Sequence, residues 1–200
     1  RVESGGGDEA FDLVLSTVAI PELLRLTPEL VDSRRESWKS IVYAHALCPV
    51  LELDRPLTPY YWLNIADREM PFGGVIEQTN FLPEDTYGGR RVVYLSDYVL
   101  PEDPKWRMKD EELWALYLPA LARVSPGFDP RFILAKRINR GEYAQPVVGA
   151  NYSAGLPALR SEAPGLYVAS MAQIYPEDRG QNYAVKLARI AAAAIQEDLR

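Results

Sequence analysis

Gly165-Leu166-Tyr167-Val168-Ala169-Ser170 leads through Ile174-Tyr175-Pro176-Glu177-Asp178-Arg179-Gly180-Gln181-Asn182 into an alanine-rich run that ends at Leu199. The first block reads as a short apolar strand and the second as a loop with an Asp-Arg-Gly turn. The third reads as a helix that begins near Gln181 or Asn182. The first turn of such a helix has backbone N–H groups without intrahelical partners and carries partial positive charge, so it can receive an anion or an electron-rich carbonyl. Gly180, just ahead of it, lets a ligand come close to the backbone. Ala184, Leu187, Ala188, Ala191 and Ile195 recur at helical spacing and predict a flat face for packing on a sheet. Strand-loop-helix units are common in α/β chains, so this stretch alone predicts a fold element and no particular chemistry.

Composition narrows the classes. Two hundred residues suit one domain or two small ones, and 48% hydrophobic content is enough for a real core. A formal net charge of −6 argues against general nucleic-acid binding, and there is no basic block. No apolar run approaches the length of a membrane span, and the polar, Gly-rich N-terminus does not read as a signal peptide. The single cysteine, Cys48, rules out an internal disulfide framework and points to a reducing, cytoplasmic setting. There is no paired His/Cys spacing for a metal, no G-x-S-x-G elbow and no P-loop.

The remaining segments predict an α+β chain with a mixed, largely antiparallel sheet. Residues 11–20 read as a buried strand. Pro21 opens a short helix, and Thr27-Pro28 marks a second start. Trp38 to Leu53 is strand-like, and His45 within it reads as a packed or hydrogen-bonded residue. Tyr60–Ile65, Val75–Phe81 and Arg91–Tyr98 are joined by Gly and Pro turns, which suggests an antiparallel meander. Alternation puts Glu77, Thr79 and Phe81 on one face and Ile76, Gln78 and Asn80 on the other. A polar-aromatic floor of Tyr61, Asn64, Glu77 and Asn80 could bind a substrate, or these groups could satisfy one another in the core. Asp110-Glu111-Glu112 opens a helix that Pro119 should kink or split. Arg131–Ile138 is a further strand, followed by a lead-back through Gly141–Pro146.

Leu-Tyr-Val-Ala, a loop of some ten residues, then Arg-Gly-x-Asn-Tyr-Ala-Val and an alanine-rich helix resembles the C-terminal end of FAD-dependent amine-oxidase and protoporphyrinogen-oxidase-like flavoproteins. The resemblance is strongest over 165–195, weaker over 60–98 and weakest over 11–30. It implies three parts: residues 1–36 as the end of an FAD-domain strand and helix, 37–145 as a substrate domain, and 146–200 as a segment returning to the FAD domain. No G-x-G-x-x-G fingerprint occurs, so the dinucleotide-binding half is expected on preceding polypeptide. The resemblance further implies flavin contacts from Ser170, Met171, Asp178, Arg179, Gly180, Gln181, Asn182 and Tyr183. Substrate contacts would come from Tyr61, Asn64, Glu77, Asn80 and Tyr143. Many relatives carry Gly and then an acidic residue or Asn where this chain has Ser170 and Met171, and a Met side chain cannot donate a hydrogen bond there. No side chain is demanded as a general base, because the flavin carries the hydride chemistry. The expected partners are a small-molecule substrate, the missing dinucleotide half and a second copy of the chain as a homodimer. The alternatives are a non-catalytic binding module for a sugar or polar metabolite and a redox-neutral flavoenzyme of the galactopyranose mutase kind.

Overall fold

The computed structural model describes residues 2–4 and 6–200. In chain order the elements are β1 (Val2–Ser4), β2 (Gly7–Glu9), β3 (Val14–Ser16), α1 (Ile20–Leu26), α2 (Arg35–Lys39), β4 (Tyr43–Leu53), β5 (Trp62–Asn64) and β6 (Gly74–Glu77). They continue with β7 (Arg91–Val99), α3 (Asp110–Val124), β8 (Ile133–Pro146), β9 (Leu166–Val168) and α4 (Gln181–Asp198). The chain divides into two units, one from residues 1–42 with 145–200 and the other from residues 43–144.

The first unit joins sequence-distant segments through a parallel pair. β3 lies beside β9 with Val14 opposite Leu166 and Ser16 opposite Val168. Val14 N–H donates to Gly165 O at 2.7 Å, and Ala169 N–H donates to Ser16 O at 2.9 Å. Gly165 has φ +78°, and a Cβ there would stand 3.1 Å from Asp12 O, so this position needs glycine. Buried Asp32 reinforces the junction by accepting from Glu162 N–H and from the Ser161 hydroxyl. The expected long strand over 11–20 is only three residues, because Pro21 enters the first turn of α1 and Ile20 is already helical. Thr27-Pro28 starts no helix; the second helical turn comes at α2, which buries Trp38. β1 and β2 pair antiparallel, while Gly5 of the expected entry turn lies outside the described residues.

The second unit is built on a five-stranded sheet in the order β5-β6-β7-β4-β8, and its first three strands form the expected antiparallel meander. Leu47, Leu51, Val75, Val93 and Leu95 share one face and pack with Leu113, Trp114, Tyr117 and Leu121 of α3. α3 runs unbroken through Pro119, so the helix is not split there. Proline removes the N–H that would bond the Ala115 carbonyl, but both residues are exposed, so water can take that carbonyl. β6 stops at Glu77, and Gln78–Asn80 forms a 3₁₀ turn, so the alternation expected as far as Phe81 ends four residues earlier.

A polar group sits within this apolar layer. Asp97, 5% exposed, accepts from Lys105 Nζ at 2.8 and 2.9 Å and from the Tyr117 hydroxyl at 2.8 Å. Burial pushes the Asp97 carboxyl up, against the opposing pull of Lys105, and burial with the neighbouring Asp97 charge pushes the Tyr117 phenol up. Removing one member of a buried pair strands the other charge. Asp97→Ala is therefore expected to cost about 3–5 kcal/mol, and Tyr117→Phe about 1.5–3 kcal/mol. The midpoint of urea unfolding measures both.

Candidate functional site

In the first unit Ser170, two residues past the end of β9, is buried. Its N–H donates to the Gln173 side-chain oxygen at 2.7 Å, and the Gln173 amide donates to Val168 O and Pro157 O. Ser170 therefore helps to fix the strand end. Met171 is 38% exposed and lines a small cleft with Asp178 and Arg179, under which the Tyr152 and Tyr175 rings meet at 5.7 Å. The Asp178 carboxylate accepts from Arg179 N–H at 2.8 Å and shapes the turn into α4.

α4 begins at Gln181 as expected. Gly180 O accepts the first intrahelical bond from Ala184 N–H. The N–H groups of Gln181, Asn182 and Tyr183 have no acceptor among the described residues, and no side chain caps them. Gln181 and Asn182 are exposed. The cleft beside them measures about 30 Å³, room for about one water, so it is a rim and not a ring-sized pocket. The first turn of an 18-residue helix left open in this way suits the electron-rich edge of a planar cofactor. Farther along, the packed face differs from the expected one. Ala191 and Ala194 are buried, with Leu187 and Ile195 half-buried, whereas Ala184 and Ala188 are exposed.

In the second unit the structure separates the five residues expected to line a substrate floor. Glu77 is fully buried, and its carboxylate accepts from Leu57 N–H at 3.0 Å and Thr58 N–H at 2.7 Å. Asn80 donates its amide to Thr58 O and Tyr60 O. Both residues thus staple the Leu57–Tyr60 loop, and the polar groups satisfy one another as the second reading of the sequence allowed. Tyr61 lies at the sheet edge against Phe81, with ring centroids 5.0 Å apart. Asn64 belongs to the face turned away from α3, opposite Gly74, and accepts from Trp62 Nε1 at 2.8 Å.

Tyr143 lies inside β8 with φ +52°, an unusual conformation for a bulky residue. Its N–H donates to His45 Nδ1 at 3.2 Å. His45 is 6% exposed and lies 4.3 Å from the Trp106 ring, a packed histidine as the sequence suggested. The Tyr143 ring meets Tyr43 edge-on at 5.7 Å.

Sequence reasoning missed the face turned away from α3. Register puts Trp62, Ile76, Tyr94, Ser96 and Cys48 on it together with Asn64. The alternation of Tyr94, Ser96 and Tyr98 with Val93, Leu95 and Val99 was visible in the sequence. Which set α3 would cover was not. Among the described residues no cluster of His, Cys, Asp or Glu is arranged to hold a metal, and no helix is long and apolar enough to cross a membrane.

Several solved structures share this fold. A protein from Exiguobacterium sp. 255-15 assigned as a protoporphyrinogen oxidase superposes with a TM-score of 0.76 at 17% identity, over 97% of this chain and 43% of that one. An oxidoreductase from Methanosarcina mazei gives 0.66 at 20% identity, over 94% of this chain and 43% of the other. A reduced UDP-galactopyranose mutase gives 0.59 at 19% identity, over 76% and 34%. At these identities the likeness is one of fold, and the chain spans less than half the length of each protein. No curated protein matches it. Residues 1–196 match the flavin containing amine oxidoreductases, and the chain belongs to that family. Its members are FAD-dependent oxidoreductases.

The loop staple is directly testable. Glu77→Gln replaces one acceptor oxygen with a donor facing a backbone N–H and is expected to cost about 1–3 kcal/mol in urea unfolding. Asn80→Ala should speed limited proteolysis within residues 57–60, read by mass spectrometry of the fragments.

Proposed function

We propose that this chain supplies two parts of an FAD-dependent oxidoreductase of the amine-oxidase-like class: the flavin-edge contact at the start of α4 and the sheet on which substrate rests. The observation that carries the reading is the uncapped, exposed first turn of α4, which follows the rim formed by Met171, Asp178 and Arg179, in a chain of an FAD-using family. FAD, when bound, supplies the hydride acceptor for oxidation at a C–N or C–C bond.

In this reading the N–H groups of Gln181, Asn182 and Tyr183 donate to the carbonyl edge of the ring and favour negative charge there. Gly180 keeps the approach clear. Met171, Asp178 and Arg179 form the adjoining rim, and Ser170 holds the strand end in place. Asn64 and Tyr61, at the β5 edge of the sheet, meet substrate, while Glu77 and Asn80 position the loop that borders it; Tyr143, on β8 at the opposite edge, packs on Tyr43 and His45 instead. The partners are a small-molecule substrate and a dinucleotide-binding half of the fold.

Expression of the gene's complete reading frame tests the proposal through the visible spectrum of the purified protein. An oxidised-flavin spectrum, present on purification or restored by added FAD, is the expected result. A folded, colourless protein that gains no colour with FAD would overturn it in favour of a binding module for a sugar or polar metabolite. Gly180→Val locates the contact. The backbone there is extended and accepts any residue, and an added Cβ would lie 2.7 Å from Asn182 Oδ1, the end of a movable side chain. Stability should change by less than about 0.5 kcal/mol. Flavin affinity, measured by equilibrium dialysis, should fall by roughly tenfold or more.

A further inference from the structure

On the face turned away from α3, β4, β7 and β8 border a cleft of about 260 Å³ between Tyr94, Arg137, Val50, Val92 and Ala135, closed at one end by Tyr87. A shallower cavity of about 370 Å³ continues from it past Glu52 and Arg90. Arg137 makes no ion pair or hydrogen bond among the described residues, and neither the Tyr87 nor the Tyr94 hydroxyl has a partner there. The one carboxylate in the cleft, Glu52, is already paired with Arg90. The Lys136 ammonium lies 5.2 Å from the Trp114 ring of α3, on the other face of the sheet, so Arg137 is the unpaired cation of the cleft among the described residues.

The groups in the cleft act on one another. Burial pushes the Cys48 thiol and the Tyr94 phenol up, and the charge of Arg137 pulls both the other way. A guanidinium stays charged at any working pH and presents a planar fork suited to two oxygens of a carboxylate or phosphate. Val50, Val92 and Ala135 beside it offer an apolar wall for the body of a ligand. This unmatched positive charge occurs in a chain whose formal net charge is −6.

We propose that this cleft binds the anionic group, carboxylate or phosphate, of an organic ligand, with Arg137 as the cation and the Tyr87 and Tyr94 hydroxyls as further donors. The inference rests on the reading of this sheet as the substrate floor, and it narrows the substrate class to organic anions. Asn64 lies across the same face at the opposite edge strand, so a long ligand anchored at Arg137 would run toward it over Tyr94 and Ile76.

Isothermal titration of the protein with benzoate and, separately, with phenyl phosphate tests the site and distinguishes the two anion types. Saturable binding of at least one is expected. Arg137→Gln should weaken it by roughly tenfold or more, Arg137→Lys by less because charge remains without the fork, and Tyr94→Phe by a smaller factor still. Arg68→Gln, an exposed arginine elsewhere, should leave it unchanged. Binding of neither anion, or equal binding by Arg137→Gln and the unaltered protein, overturns the inference. If Arg137→Gln does not fold, the Arg137→Lys and Tyr94→Phe affinities decide: both matching the unaltered protein overturns it. Flavin content of the complete reading frame is measured in parallel and should be unaffected by Arg137→Gln. A colourless protein that binds the anion sinks the flavin reading and leaves this site standing; a flavin-loaded protein that ignores both anions sinks this site alone.

Discussion

The parallel pairing of β3 with β9 is the constraint on which the first unit depends. Three residues from near the start of the chain and three from near its end share one ladder, and the ordering of the long intervening segment opposes that closure. The contact persists because several bonds support it at once. Gly165 turns into β9 against Asp12, and Asp32 holds Ser161 and Glu162. Val168, at the end of β9, is fully buried. Once that ladder exists, Ser170 and the loop after it have little choice of position, and Asp198 at the end of α4 is tied to β9 by the Tyr167 hydroxyl.

The second unit divides its polar groups between two roles. On the side that α3 covers, polarity is structural: Asp97 is matched by Lys105 and Tyr117, and Glu77 is matched by two backbone N–H groups. A buried carboxylate whose oxygens are engaged by donors of the fold itself rigidifies its surroundings. On the side turned away from α3, Tyr94, Tyr87 and Arg137 keep their donors unmatched among the described residues. The unmatched polarity of this sheet therefore sits opposite its most deeply buried polar residues.

In the proposed function the flavin carries the oxidation. What the polypeptide would contribute is placement: donors toward the ring, a rim beside it and a floor for the substrate. Met171 fits that division, since it stands at the rim of the cleft by α4 and offers shape without a hydrogen-bond donor.

Local chemistry was enough to read several elements from the sequence. The start of α4 at Gln181, the acidic opening of α3, the proline at the head of α1 and the meander of β5, β6 and β7 all follow from signals confined to a few residues. The order of residues 165–195 carried the family as well. Tertiary structure alone decided three matters. Glu77 became a loop staple because α3 covers the face on which alternation puts it, and alternation cannot say which face a helix will choose. α3 passed through Pro119 because that turn faces water. The cleft around Arg137 arose because β8 returns beside β4 some ninety residues later, a juxtaposition that no local pattern encodes.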